Sequence, residues 1–171
     1  MRLISKLRPS TFAQKHANRI AHLQGQIADI ACGSGRNLVP FLQFNLPMYA
    51  ADIDITRIDA LRSEYPDIQL ESEELDLLKP NLGLPVESFS LVILVHFFNR
   101  SNFKKILASI KPNGFLIFET IDDRGDNYLE MPETGDVQRM LKTDFELIDI
   151  VEKDIRNTGR QKLKILAPKK A

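Results

Sequence analysis

Apolar residues follow two rhythms along this chain. Where they recur every three or four positions a helix is expected, and short apolar runs bounded by turn residues predict strands. Thr11 and Gln14 fit a capping box, and Phe12, Ala13, Ala17, Ile20 and Leu23 supply an apolar helical face that Gly25 can end. The first strand is Gln26 to Ala31. A helix from about Arg36 to Phe44 follows, with Pro40 in its first turn and Asn45 and Pro47 closing it. Met48 to Ile53 is the second strand. Thr56 with Asp59 caps the next helix, which turns Ile58, Leu61 and Tyr65 inward and stops at Pro66. Ile68 to Glu71 reads as the third strand.

The fourth strand, Phe89 to His96, contains five consecutive aliphatic residues, the composition of a parallel strand buried on both faces. Ser101 or Asn102 opens a helix with Phe103, Ile106, Leu107 and Ile110 on one side. Lys111-Pro112-Asn113-Gly114 then turns into the fifth strand, Phe115 to Thr120. After a loop rich in Asp, Gly and Asn, a short helix spans about Asp136 to Lys142. Phe145 to Val151 and Lys162 to Ala167 are the last two strands. They are joined through Asn157-Thr158-Gly159 with no room for a packed helix, so they run antiparallel. The expected architecture is α/β: a doubly wound, mostly parallel seven-stranded sheet with an antiparallel C-terminal hairpin and helices on both faces. No linker or repeat divides it. One domain over 1–171 is expected, with an N-terminal helix (1–25) and the core sheet and helices (26–171).

Composition narrows the function. A chain of 171 residues can bury a real core, and 43% hydrophobic with 27% charged residues is ordinary for a soluble globular protein. No apolar run is long enough to cross a bilayer, so a cytoplasmic protein with no membrane partner is expected. A single cysteine, Cys32, excludes an internal disulfide and a cysteine-rich zinc site, and three scattered histidines suggest no metal centre. Net charge is zero, so no global field attracts nucleic acid. The start of the chain is nonetheless acid-free up to Asp29 and carries Arg2, Lys6, Arg8, Lys15 and Arg19. That segment reads as a helix with a solvated basic face; a transit peptide and an RNA-binding arm are the alternatives.

Candidate chemistry centres on Gln26 to Val39, where the first strand breaks into Gly33-Ser34-Gly35 before a helix. Such a turn offers backbone N–H groups to a bound cofactor. A P-loop is excluded, because no Gly-Lys-Ser/Thr triplet follows. The dinucleotide fingerprint needs a third glycine where Leu38 stands. Asp29, four residues before Gly33, suits a cation at the mouth of the turn better than a pyrophosphate. Asp52, at the end of the second strand, is placed to accept hydrogen bonds from both ribose hydroxyls of an adenosine.

An acidic residue followed by Ala-Cys-Gly-x-Gly resembles motif I of the class I, seven-stranded S-adenosylmethionine-dependent methyltransferases, with Ala31 where that family has its first glycine. Gly-Arg-Asn after the motif, Val-His-Phe-Phe-Asn-Arg and Phe-Glu-Thr are similar to small bacterial, tellurite-resistance-like members. The resemblance implies S-adenosyl-L-methionine as cofactor, with S-adenosyl-L-homocysteine as product. It implies a cofactor site built from Asp29, Ala31, Cys32, Gly33, Ser34, Gly35, Asn37, Asp52, Ile53, Asp76, Leu77 and His96. Within it, Asp76 would accept the adenine amino group beside the Leu77 backbone, and Cys32 would pack the cofactor wall rather than act as a nucleophile. The end of the fourth strand faces the transferring methyl in this family, which makes His96 the candidate catalytic base. Arg100 and Glu119, near the same rim, are candidate substrate contacts.

The acceptor expected is a small molecule, since so short a chain has little room for a recognition domain. RNA, held by the basic N-terminus and the Lys169-Lys170 tail, is the alternative. So is a module that binds the cofactor without catalysis.

Overall fold

The computed structural model describes residues 8–120, 131–133, 135–155 and 160–171. Its sheet is laid out around β4 (Phe89–Val95), which is buried along its whole length. The other strands are β1 (Gln26–Ile30), β2 (Met48–Asp52), β3 (Leu70–Glu74), β5 (Ile110–Glu119), β6 (Asp149–Ile155) and β7 (Arg160–Pro168), and their order across the sheet is β3-β2-β1-β4-β5-β7-β6. The first five strands run parallel, while β7 is antiparallel to both β5 and β6. Strand order reverses direction between β1 and β4, which opens a crevice at the carboxyl ends of those strands.

Alternation along β4 explains its unbroken apolar run. Leu91, Ile93 and Val95 join one core with Phe12, Ile27, Phe41 and Leu61, beneath α1 (Thr11–Ala17), a 3-10 helix (Arg36–Phe44) and α2 (Ile58–Glu64). Val92 and Leu94 join the other with Phe103, Phe118 and Leu141, beneath α3 (Arg100–Ala108) and α4 (Asp136–Leu141). Helices therefore cover both faces, as a mostly parallel sheet requires.

Several boundaries differ from those expected. β1 and β4 each stop one residue early because Ala31 (φ 58°) and His96 (φ 63°) turn the chain out of the sheet in left-handed conformations. β2 likewise ends at Asp52. β3 lies two residues further along than expected and is mostly charged, as suits an edge strand. The helix after motif I keeps its expected span but winds as a 3-10 helix, with N–H bonds from Leu38 to Gly35 and from Asn45 to Leu42; Pro40 sits mid-helix, not in the first turn. Ser10, not Thr11, caps α1, its Oγ accepting from the N–H groups of Phe12 and Ala13. Asn99 caps α3, which starts at Arg100, just before the Ser101 or Asn102 start expected.

Residues Lys111–Gly114 turn as expected but inside β5. Pairing jumps from Phe89–Ile110 to Leu91–Phe115, with Asn113 at φ 62°. β6 begins at Asp149, and Phe145 makes only an isolated bridge to Lys169. The Asn157-Thr158-Gly159 turn lies outside the described residues.

Candidate functional site

A cavity of about 650 Å³ opens at the crevice between β1 and β4, within the range typical of small-molecule sites. Three strand ends and the motif I turn build its walls. Ala31, Cys32, Gly33, Ser34 and Asn37 come from the turn, Asp52 and Ile53 from the end of β2, Asp76 and Leu77 from the segment after β3, and His96 from the end of β4. Ten of the twelve cofactor residues expected from sequence thus face one space.

The motif I turn is shaped by two glycines with different tasks. Gly35 (φ 70°) is pressed against α2, and a Cβ there would come within 2.8 Å of Ile58 and 2.9 Å of Leu61. It holds the turn against the fold without reaching the cavity. Gly33 (φ 53°) lines the cavity, and a Cβ there would meet no described atom within 4 Å. Its missing side chain leaves room for a ligand to approach the backbone.

Asp52 is fixed from two sides. The Gly33 N–H donates to Oδ2 at 2.8 Å and the Asp54 N–H to Oδ1 at 3.1 Å. Each carboxylate oxygen keeps a second lone-pair direction for a diol. Asp54 in turn accepts from the Thr56 N–H and hydroxyl, while α2 starts after Arg57 without the side-chain cap expected of Thr56 and Asp59. Asp76 Oδ1 accepts from the Leu78 N–H at 3.0 Å, holding the loop that presents Leu77 to the cavity. Ile53, 63% exposed, stands at the rim with an apolar side chain that nothing on the described surface covers.

Asp29 does not line the cavity. It is 1% exposed beneath the turn, on the face of β1 that carries Ile27, and no donor reaches either carboxylate oxygen among the described residues. Burial raises its pKa well above the usual aspartate range, reinforced by Asp52; Arg36 and the neighbouring Asn37 amide oppose the rise. Cys32 is buried, and burial together with Asp29 and Asp52 pushes its thiol pKa far up. The thiol stays protonated and is no nucleophile.

At the end of β4, His96 lines the cavity while Glu119 lies behind it, Oε1 being 3.8 Å from His96 Nε2. Arg100 does not join them. It pairs with Asp136 of α4, as does Arg139, and lines a separate hollow with Lys104 and Phe145. The arginine opens α3 and leans towards the buried carboxylate of Asp136. Sequence reasoning missed Arg36 and Arg57, which line the cavity, and Ser10, whose N–H donates to Asn37 Oδ1 at 3.0 Å. Arg36 was visible in the Gly-Arg-Asn triplet; Arg57 carries no sequence signal.

Residues 28–118 match the family described as the methyltransferase domain. The chain belongs to this family and is an S-adenosylmethionine-dependent methyltransferase of class I fold. Solved structures share the fold. An S-adenosylmethionine-dependent methyltransferase from Aquifex aeolicus superposes with a TM-score of 0.67 at 16% identity, covering 96% of each chain. The 1,6-didemethyltoxoflavin N1-methyltransferase of Burkholderia thailandensis, solved with 1,6-didemethyltoxoflavin and S-adenosylhomocysteine, gives 0.64 at 15% identity over 95% of this chain and 80% of that one. TehB from Haemophilus influenzae gives 0.66 at 15% identity over 92% of this chain and 61% of its own. No curated protein matches the sequence.

Proposed function

We propose that the cavity at the β1–β4 crevice binds S-adenosyl-L-methionine and that the protein methylates a small molecule presented at its His96 end. The observation that carries this reading is the Gly33–Asp52 contact, which ties the motif I turn to the strand-end carboxylate on one wall of the cavity. The cofactor supplies a methyl group already activated by its sulfonium charge. The chain's part is to bind, orient and exclude water. Asp52 would take the ribose hydroxyls, Asp76 with Leu77 and Ile53 the adenine, and Ala31 to Asn37 the amino acid end above Asp29. Cys32 packs the wall.

α1 shares a core with β1, β4 and the 3-10 helix, which supports reading the chain as one methyltransferase domain. No helix among the described residues is long and apolar enough to cross a membrane, and we infer a cytoplasmic enzyme. A small-molecule acceptor is favoured over RNA because three of the basic residues on which the RNA reading rests are already engaged. Lys15 pairs with Asp149 at 2.8 Å, Lys169 Nζ donates to the Ile110 carbonyl at 2.6 Å, and Lys170 Nζ donates to those of Lys142 and Thr143. Lys6 lies outside the described residues, as does most of the loop rich in Asp, Gly and Asn that follows β5.

Thermal unfolding with S-adenosylhomocysteine, S-adenosylmethionine and NAD tests the proposal. Ligand at about a hundred times its dissociation constant stabilises by roughly 2.7 kcal/mol, a rise of about 5–10 °C for a domain of this size. The two sulfur nucleosides should give that shift, NAD none, and Asp52→Ala should reduce it. Saturating sulfur nucleoside without any shift would overturn the cofactor site.

A further inference from the structure

His96 leaves β4 in a left-handed backbone conformation (φ 63°), which is uncommon for a residue with a Cβ. The conformation is held by the residue's own N–H, which donates to the Glu119 carbonyl at 2.8 Å, and the Glu119 side chain then returns to the same imidazole. Three elements converge on that buried carboxylate. Ser10 Oγ, from the N-cap of α1, donates to Oε2; Lys164 Nζ, from β7, lies 2.8 Å from Oε1; His96 approaches from β4. Burial alone would raise the Glu119 pKa, but His96, Lys164 and Ser10 outweigh it and hold the group at about 2, so it is an anion throughout the working range.

Resting on the methyltransferase reading above, we propose that His96 and Glu119 act as a proton-accepting pair, and that the acceptor is a neutral N–H or O–H compound. A thiolate or carboxylate acceptor arrives without a proton to remove and gains nothing from a base. An N–H or O–H acceptor must lose one as it is methylated. The acceptor's lone pair forms the bond to the methyl carbon as the carbon–sulfur bond breaks, with its electron pair left on sulfur. The acceptor's proton passes to His96 Nδ1. Nε2 faces Glu119, so the imidazolium that forms sits against a fixed negative charge, and the proton later leaves to water. One positive charge enters on sulfur and one leaves as the proton. His96 is the catalytic residue of this scheme. Glu119 is its positioning residue, and Ser10 and Lys164 keep the carboxylate from turning away.

The ring N–H that His96 turns towards Glu119 can be followed by proton NMR, with S-adenosylhomocysteine present, in the wild type and in Glu119→Gln. A downfield resonance from that N–H is expected in the wild type and should be lost in the variant, with S-adenosylhomocysteine affinity unchanged within about threefold. The same resonance in both proteins would overturn the pair. Failure of the wild type to bind S-adenosylhomocysteine would instead remove the cofactor reading, while the resonance would still report on the pair. His96→Gly suits the left-handed backbone and leaves space for added imidazole. Against a panel of phenols, heteroaromatic N–H compounds and thiols with methyl-labelled S-adenosylmethionine, this variant should lose about 100-fold or more on the N–H and O–H acceptors, with partial rescue by imidazole. Methylation confined to thiols and unaffected by His96→Gly would overturn the acceptor class.

Discussion

The backbone N–H of Gly33 donates to the side chain of Asp52 across 2.8 Å, so the residue that leaves room at the cavity wall is anchored to the one we propose for the ribose. Asp52→Asn keeps the shape but removes the charge from both roles. Hydrogen bonds to charged groups contribute about 1.5–3 kcal/mol each. S-adenosylhomocysteine affinity, measured by calorimetry, should therefore fall by about 10- to 100-fold in this variant. An affinity within twofold of the wild type would show that Asp52 does not contact the ribose.

Alanine at the two motif I glycines should separate stability from binding. Gly35→Ala combines left-handed strain with overlap on Ile58 and Leu61, a loss of about 2–4 kcal/mol. Gly33→Ala carries the strain alone, about 1 kcal/mol, but puts a methyl group at the cavity wall. Without ligand the first variant should melt well below the second. With S-adenosylhomocysteine the Gly33→Ala midpoint should barely move.

Ala31 stands at φ 58° where the family has glycine. Ala31→Gly relieves that strain and gives back part of the gain as unfolded-chain entropy, a net stabilisation of about 0.5–1 kcal/mol. Thermal unfolding should show a midpoint higher by about 1–4 °C. A lower midpoint would show that the methyl group packs more favourably than the strain costs.

Two buried carboxyls impose opposite pH dependences. Asp29 has a raised folded-state pKa, so its contribution is complete below the unfolded value of about 3.9 and is lost as pH rises through the folded value. Asp29→Asn should flatten that decline and stabilise the ligand-free protein at neutral pH, while weakening cofactor binding. Glu119 has a depressed folded-state pKa of about 2. Its contribution is present above about pH 4.3 and disappears as pH falls towards 2. The stability gap between wild type and Glu119→Gln, measured by denaturant unfolding, should narrow across that window. A gap constant from pH 5 to pH 2 would contradict the ion cluster around Glu119.

Much of this was legible from local pattern. The glycine turn, the carboxylate at the end of β2 and the five aliphatics of β4 each follow from residues close together in sequence, and the hairpin correctly predicted an antiparallel ending. β3 was misplaced because Leu-Glu-Ser-Glu-Glu, at a sheet edge, carries no apolar period. Ser10 was hidden by the neighbouring Thr11, an equally good cap by sequence. Lys164 is 45 residues from Glu119 and 68 from His96, and only the position of β7 between β5 and β6 brings them together. Arg100 looked like a rim residue because nothing local announces Asp136, 36 positions on.

That same insertion of β7 sets a timetable for biosynthesis. As the chain leaves the ribosome, β5 emerges with Leu116 to Phe118 destined for the core, yet its sheet partner on one side is not translated until residues 160–168. β6 appears earlier but belongs one place further out, so it has no proper neighbour to pair with. The nascent chain must hold a bare apolar strand edge open for roughly forty residues of synthesis, a window in which wrong pairing and aggregation compete with folding. The Lys164–Glu119 pair closes with that last strand, so the proposed His96–Glu119 pair is completed only when the sheet is.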